Sequence, residues 1–210
     1  MIPTTALHID DVTITLDDVT LLHVNATIAP GEVLTVMGPS GSGKSTLLAY
    51  IAGFLAPAFR ASGDVRLGEQ SLLRLPAEAR GMGLLFQDPL LFPHLSVGGN
   101  LRFGLPRNIR NKQQVIAEAL VQIGLKGFEH RDPATLSGGQ KARVALMRLL
   151  LSQPQTVLLD EPFSKLDTAL RQEMRGFVFG QLREARLPTL LVTHDHADAQ
   201  AAGGPVIELD

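Results

Sequence analysis

Apolar and polar positions alternate at the start of the chain. Leu7–Leu16 alternates in part and is rich in Val, Ile and Thr, and Val19–Ile28 does likewise, which predicts two short strands. Pro30-Gly31 marks a turn. Val33–Met37 is an unbroken apolar run, the pattern of a strand buried on both faces. A glycine-rich loop follows, then a helical stretch from Ser45 to about Phe54. Ser62-Gly63 begins a strand over Asp64–Leu67, and Gly83–Phe86 reads as another. From about Asp88 to Pro154 the character changes. Prolines and glycines come first, then helix-forming runs at Val115–Ile123 and Gly139–Ser152. Thr156–Leu159 and Thr189–Thr193 are again short buried strands, separated by a helix over roughly Thr168–Glu184. Ala201–Pro205 reads as a turn and Val206–Leu209 as a last strand. There is no internal repeat and no low-complexity linker. The pattern is that of an α/β protein, a mainly parallel sheet with crossover helices, interrupted by a helical insert.

Composition narrows the classes. The 210 residues suffice for one sizeable domain or two small ones, and 45% hydrophobic content supports a real core. Aromatic residues are few, at 5%, and there is no Trp. The formal net charge of −2 gives no electrostatic footprint for nucleic acid or anionic lipid. With no cysteine, disulfides and thiolate metal sites are excluded, which fits a reducing compartment. Met1–Asp10 lacks the basic start and apolar run of a signal peptide. No stretch reaches the roughly 18 uncharged apolar residues that a membrane-spanning helix needs. Any membrane role is therefore expected to run through a partner.

Gly38-Pro39-Ser40-Gly41-Ser42-Gly43-Lys44-Ser45 fits G-x-x-x-x-G-K-[ST] in full, after an apolar strand and before a helix. Glycines let the backbone curl so that successive N–H groups point at phosphate oxygens. The helix N-terminus adds positive partial charge. Lys44 supplies a point charge for β- and γ-phosphates, the Ser45 hydroxyl can ligate Mg²⁺, and Thr46 can add a phosphate contact. The plainer alternative is a glycine-rich turn capped by Ser.

Thr156-Val-Leu-Leu-Asp160-Glu161-Pro162 is an apolar strand ending in two acids. Beside a phosphate loop, Asp160 can stand near Mg²⁺ and Glu161 can reach an attacking water as general base. Alone the pattern is weak, because many strands end in acids that cap the next helix. Leu136-Ser137-Gly138-Gly139-Gln140 precedes an apolar helix and forms a second phosphate-ready helix start. It too has a plain alternative, a Ser cap with glycines for close packing. One nucleotide has no use for two such sites unless something else brings them together.

The phosphate loop, Gln87, Leu136–Gln140, Asp160-Glu161, Ser164–Asp167 and His194 come in the order of an ABC transporter ATPase. The chain resembles that family over nearly its whole length. The resemblance implies an α/β P-loop NTPase fold with a RecA-like parallel core, an N-terminal antiparallel β region and an inserted α-helical subdomain. It implies a single ABC ATPase domain over residues 1–210, with 1–88 and 155–210 as the nucleotide-binding core and 89–154 as the helical signature subdomain.

It also implies roles. Two copies would pair head to tail, each ATP lying between the loop Gly38–Thr46 of one copy and the signature of the other. Ser137, Gly138 and Gly139 would bind the γ-phosphate held on the partner, within a signature, Ser137–Gln140, that binds the partner's ATP. Gln87 would touch Mg²⁺ or the water and sense a membrane subunit. Ser45, Gln87 and Asp160 would be the metal's ligands, and Glu161, His194 and Gln87 the catalytic set. Asp167 would belong to the loop that crosses the dimer. Phe86–Pro106, with its Leu-Phe-Pro-His-Leu run, looks like the importer branch, where the insert docks a separate permease. That branch implies transmembrane permease subunits, an extracytoplasmic solute-binding protein, and a peripheral location at the cytoplasmic face of the plasma or inner membrane.

Three departures from the family pattern stand out. The family stacks adenine on an aromatic residue in the early β region, and the matching place holds Thr15-Leu16. An acid usual in the stretch after Leu-Ser-Val is replaced by Gly99. The resemblance is to a compact form without the C-terminal β domain of many importer ATPases. Competing readings are an exporter or lipoprotein-release ATPase, and a soluble ABC protein acting on ribosomes or DNA. The second usually carries two ATPase units or a long coiled coil, and neither is seen. A GTPase is disfavoured because Asn111-Lys112-Gln113-Gln114 lacks the acid of the base-reading motif.

Overall fold

The computed structural model describes residues 5–209. They fall into two compact units, one made of residues up to Leu84, Gln155–Glu161 and those from Arg175 onward, the other of Leu85–Pro154 and Pro162–Met174. The sequence expectation gave residues 155–210 whole to the core. Compactness instead groups Pro162–Met174 with the helical unit.

In the first unit, β1 (Leu7–Leu16) and β2 (Val19–Ile28) form an antiparallel hairpin. Its two-residue turn, Asp17-Asp18, has φ of 47° and 62°, the left-handed pair whose twist matches the flanking strands. Alternation in β1 is only partial for a physical reason. A bulge between Ile9 and Val12, with Asp11 at φ 48°, inserts residues and returns the later ones to the inward face. Leu7, Ile9, Val12 and Ile14 are all buried in consequence. On its other edge β1 pairs with β4 (Phe59–Leu67), and β5 (Gln70–Ser71) extends that sheet. β4 begins five residues before the expected Asp64, because pairing with β1 overrides the break signalled by Gly63.

The second sheet of this unit has the order β6-β7-β8-β3-β9. β3 is Val33–Met37, β6 Met82–Leu85, β7 Thr156–Asp160, β8 Thr189–Thr193 and β9 Val206–Glu208. β3 runs parallel to both β8 and β9, and β7 parallel to β8. Every residue of β3 and β8 is buried, as unbroken apolar runs require. α1 (Lys44–Ala52) follows β3, and α6 (His196–Ala202) follows β8. α6 was not expected. Its Ala-rich His-Ala-Asp-Ala-Gln-Ala-Ala run has almost no apolar stripe, and it is anchored by the Asp195 side chain accepting from the Ala197 N–H. Open α/β sheets place ligands beyond the carboxyl ends of their strands. In this unit those ends carry the loops after Met37, Asp160 and Thr193.

The helical unit holds α2 (Val97–Gly104), α3 (Lys112–Gln122), α4 (Gly138–Leu151) and the start of α5 (Thr168–Glu184). α2, hidden in the sequence by its glycines, is capped by Ser96, whose side chain accepts from Gly99 N–H. Gly99 occupies the third helical position, where an acid would complete a reciprocal capping box. Its absence leaves that half of the box unmade. Asn100 is fully buried, and its amide ties together Phe92, Leu95 and Ser96.

Candidate functional site

The loop after β3 curls tightly at Gly38. A Cβ there would lie 2.8 Å from Ser42 Oγ and 2.9 Å from Leu209 O, so no side chain fits. Gly43 caps α1 at φ 86°, a left-handed conformation suited to glycine, and a Cβ there would meet Leu22 at 2.8 Å. The Lys44 ammonium turns back into the loop and donates to the carbonyls of Gly38 at 2.8 Å and Pro39 at 2.7 Å. Lys44 is buried, while Pro39, Ser40, Gly41 and Ser45 are exposed. The Ser42 hydroxyl is buried with no hydrogen-bond partner.

Ser45 Oγ donates to Asp160 Oδ1 at 3.0 Å, across 115 residues of sequence. Burial pushes the Asp160 carboxyl above the usual carboxylate range. The Ser45 hydrogen bond works against that, the Glu161 charge adds to it, and the Lys44 charge opposes it. Glu161 follows with φ 45°, a left-handed backbone that costs a non-glycine residue about 1–3 kcal/mol and marks functional sites. Its own N–H donates to Val192 O at 3.0 Å, which fixes the turn. Its side chain meets His194, with Nδ1 2.9 Å from Glu161 Oε1.

A buried network supports His194 from behind. Arg175 donates to Asp198 Oδ1 at 2.6 Å and to Asp195 Oδ2 at 2.9 Å, and Thr193 Oγ1 donates to Asp198 Oδ2 at 2.8 Å. His194 lies between Thr193 and Asp195, and its backbone is held on both sides.

A cavity of about 400 Å³ opens beside the loop. Its wall includes polar side chains, Ser40, Lys44, Ser45, Thr46 and Glu161, and apolar ones, Leu16, Leu21 and Phe59. The departure at Thr15-Leu16 holds along β1 itself. Leu16 faces the cavity, and an aromatic ring is present after all, supplied by β4, where Phe59 pairs in register with Leu16. Sequence reasoning missed Phe59 because it looked along β1 rather than across to the neighbouring strand.

The first unit thus brings together Gly38–Thr46, Asp160, Glu161 and His194. Gln87, Ser137–Gln140 and Asp167 belong to the helical unit. Gln87 is exposed in the loop after β6. Ser137 caps α4 in a reciprocal box: its Oγ accepts from Gln140 N–H at 3.3 Å, and Gln140 Oε1 accepts from Ser137 N–H at 3.0 Å. Gly139 packs so closely that a Cβ would lie 2.6 Å from Leu170. Ser137 and Gly138 remain exposed at the helix start. Cap and close packing are therefore both real here, and Ser137 and Gly138 still present the open end of a helix. Asp167 caps α5 by accepting from Leu170 N–H at 3.0 Å.

The arrangement in the first unit suits a nucleoside triphosphate, with a phosphate cradle, oxygen ligands for a cation, a carboxylate with a histidine, and an apolar pocket for a base. The comparisons agree. The chain matches the ABC transporter family over residues 21–164, more than half its length. It is 49% identical over 183 residues to the ABC transporter ATP-binding protein YnjD of Escherichia coli (strain K12), covering 86% of this chain and 84% of that protein. It is 41% identical over 207 residues to the thiamine import ATP-binding protein ThiQ of Jannaschia sp. (strain CCS1), covering 97% of this chain and 89% of that one. It is 43% identical over 208 residues to the Fe(3+) ions import ATP-binding protein FbpC 3 of Rhodococcus jostii (strain RHA1), covering 97% and 59% respectively. Fold, phosphate loop and kinship converge: this chain belongs to the ABC transporter ATP-binding proteins, an ATPase serving a transporter.

Proposed function

We propose that the chain drives solute import by binding and hydrolysing ATP as a head-to-tail pair against separate permease subunits. The observation that carries this reading is the grouping of Lys44, Ser45, Asp160, Glu161 and His194 at one end of the parallel strands. Import rather than export is supported by the relatives, several of which are named as import proteins.

In this reading the loop's N–H groups and Lys44 hold the β- and γ-phosphates. Leu16, Leu21 and Phe59 receive the base. Glu161 takes a proton from the water that attacks the γ-phosphorus, and the bond to the β–γ bridging oxygen breaks. His194, hydrogen-bonded to Glu161, keeps that carboxylate in place.

The residues fit Mg²⁺. Ser45 and Asp160 present two hard oxygen donors 3.0 Å apart, and a nearby cation would relieve the crowded charge of Asp160 and Glu161. Ser45 and Asp160 would hold the ion, and when bound it would neutralise phosphate charge. Ser137, Gly138 and Gly139 of one copy complete the site of the other, with Gln140 bracing that helix start and Asp167 in the crossing loop.

Among the described residues no helix is long and apolar enough to cross a membrane. The chain then works as a peripheral subunit through its permease, with a solute-binding protein outside. Exposed Leu90, and exposed Phe103 beside the Phe92 ring, offer the permease apolar contacts. Reconstitution tests the whole reading. The chain with its permease in proteoliposomes should take up solute only with Mg²⁺ and ATP. Solute movement in the opposite direction would overturn import, and no ATP hydrolysis would overturn the mechanism.

A further inference from the structure

We propose that the groove between the end of α2 and the start of α3 binds the phosphate headgroups of an anionic membrane surface. The net charge of −2 conceals a strong division. The helical unit carries eleven Lys and Arg against six Asp and Glu, a balance of +5, and the other unit eight against fifteen, a balance of −7. The whole-chain figure, which argued against an anionic surface, is the sum of two opposite units.

Within the helical unit several cations have partners. Arg143 pairs with Glu173, Lys165 with Asp88, and Arg148 donates to the carbonyls of Pro89 and Leu90. Four do not. Arg102, Arg107, Arg110 and Lys112 line one open groove of about 820 Å³ with no carboxylate in its wall, and none has an ion-pair or side-chain hydrogen-bond partner among the described residues.

Arg102 at least sits in the last turn of α2, the end of a helix that favours positive charge. The others stand at the wrong end of α3. Lys112 is its first residue, Arg110 immediately precedes the Asn111 N-cap, and Arg107 lies in the loop before them. Asn111 makes no capping bond, and the first turn has no acid. Free N–H groups and cations thus crowd together without compensation, an arrangement that an anion turns from cost to gain.

The groove is far larger than one phosphate and its cations ride on flexible side chains, which suits a field of headgroups rather than a single small ion. This choice of source rests on the proposed work beside a membrane-embedded permease. The vesicle test needs neither permease nor ATP hydrolysis, so it fails or succeeds independently of that proposal.

The experiment is flotation of the purified full chain with phosphatidylcholine vesicles, with and without phosphatidylglycerol. The chain should float with the anionic vesicles alone and be released by salt. Arg107→Gln/Arg110→Gln should weaken partitioning roughly twenty-five-fold, about fivefold per cation, with ATP hydrolysis in solution unchanged. Lys126→Gln/Arg131→Gln, the same charge loss elsewhere on the unit, should float like the unaltered chain. Equal loss in both pairs would reduce the effect to bulk charge and overturn the groove. No partitioning of the unaltered chain would overturn it too. Binding of inorganic phosphate or a short oligonucleotide at Arg107 and Arg110, without vesicle binding, would overturn the membrane as the ligand.

Discussion

His194 Nδ1 lies 2.9 Å from Glu161 Oε1, joining the ends of two parallel strands by one side-chain contact. The carboxylate is thereby oriented by a residue 33 positions away, and its backbone is strained at φ 45° to reach the place. Glu161→Gln should keep ATP binding and lose about 10²- to 10⁴-fold in hydrolysis. Its ATP-bound pair should persist and elute as a dimer in gel filtration with ATP. A variant hydrolysing at nearly the original rate would remove Glu161 from the role of base.

Asp160 gives a pH dependence whose sign is fixed. Its folded pKa is raised, so the stability linked to it is fully present below the usual carboxylate value of 3.8 and is lost as pH rises through the higher folded value. Asp160→Asn should therefore melt higher than the original chain at neutral pH without nucleotide. The difference should shrink as pH falls to the carboxylate range. Thermal unfolding across pH checks this, and a variant that melts lower at neutral pH would refute it.

Phe59 changes what is expected of base binding. Stacking on an aromatic ring contributes about 1–3 kcal/mol per base. Phe59→Ala should weaken ATP binding by about that amount, a fivefold to 150-fold loss. GTP, which offers a similar π face, should lose about as much as ATP. Calorimetric titration of both nucleotides decides it, and unchanged affinity would put the base elsewhere.

The head-to-tail pairing predicts a split between two substitutions. Ser137→Arg should leave nucleotide affinity of the single chain nearly intact, because Lys44 and its loop are untouched, yet turnover should collapse. Lys44→Ala should weaken binding itself. Equal loss of affinity in both would mean that the two motifs do not serve opposite faces of a pair.

Where sequence signal and local physics coincide, the reading from sequence was close. Val33–Met37 and Thr189–Thr193 are buried on both faces and sit at their expected positions to the residue. The phosphate loop and the Asp160-Glu161 pair were legible because their residue types are constrained by chemistry. What escaped depends on pairing between distant residues. Phe59 meets the nucleotide pocket only through its register with Leu16. The charge division came into view only once the fold had sorted residues into two units. α2 and α6 were hidden because glycine in one and alanine in the other erase the apolar stripe that announces a helix.

β3, which delivers the phosphate loop, is flanked by β8 and β9, so both its neighbours lie more than 150 residues further along the chain. Even the turn at Gly38 is braced by Leu209, whose N–H donates to Met37 O at 2.8 Å. During synthesis the loop is made well before its support, because the strand beneath it has no partner on either side until β8 and β9 have also been made. Domains fold as units while chains emerge at roughly 5–20 residues per second. The nascent protein thus spends on the order of ten seconds with its phosphate-binding sequence made and its support missing. The ability to grip ATP arrives only once β8 and β9 have joined β3, which keeps a chain that lacks them from acting as a motor.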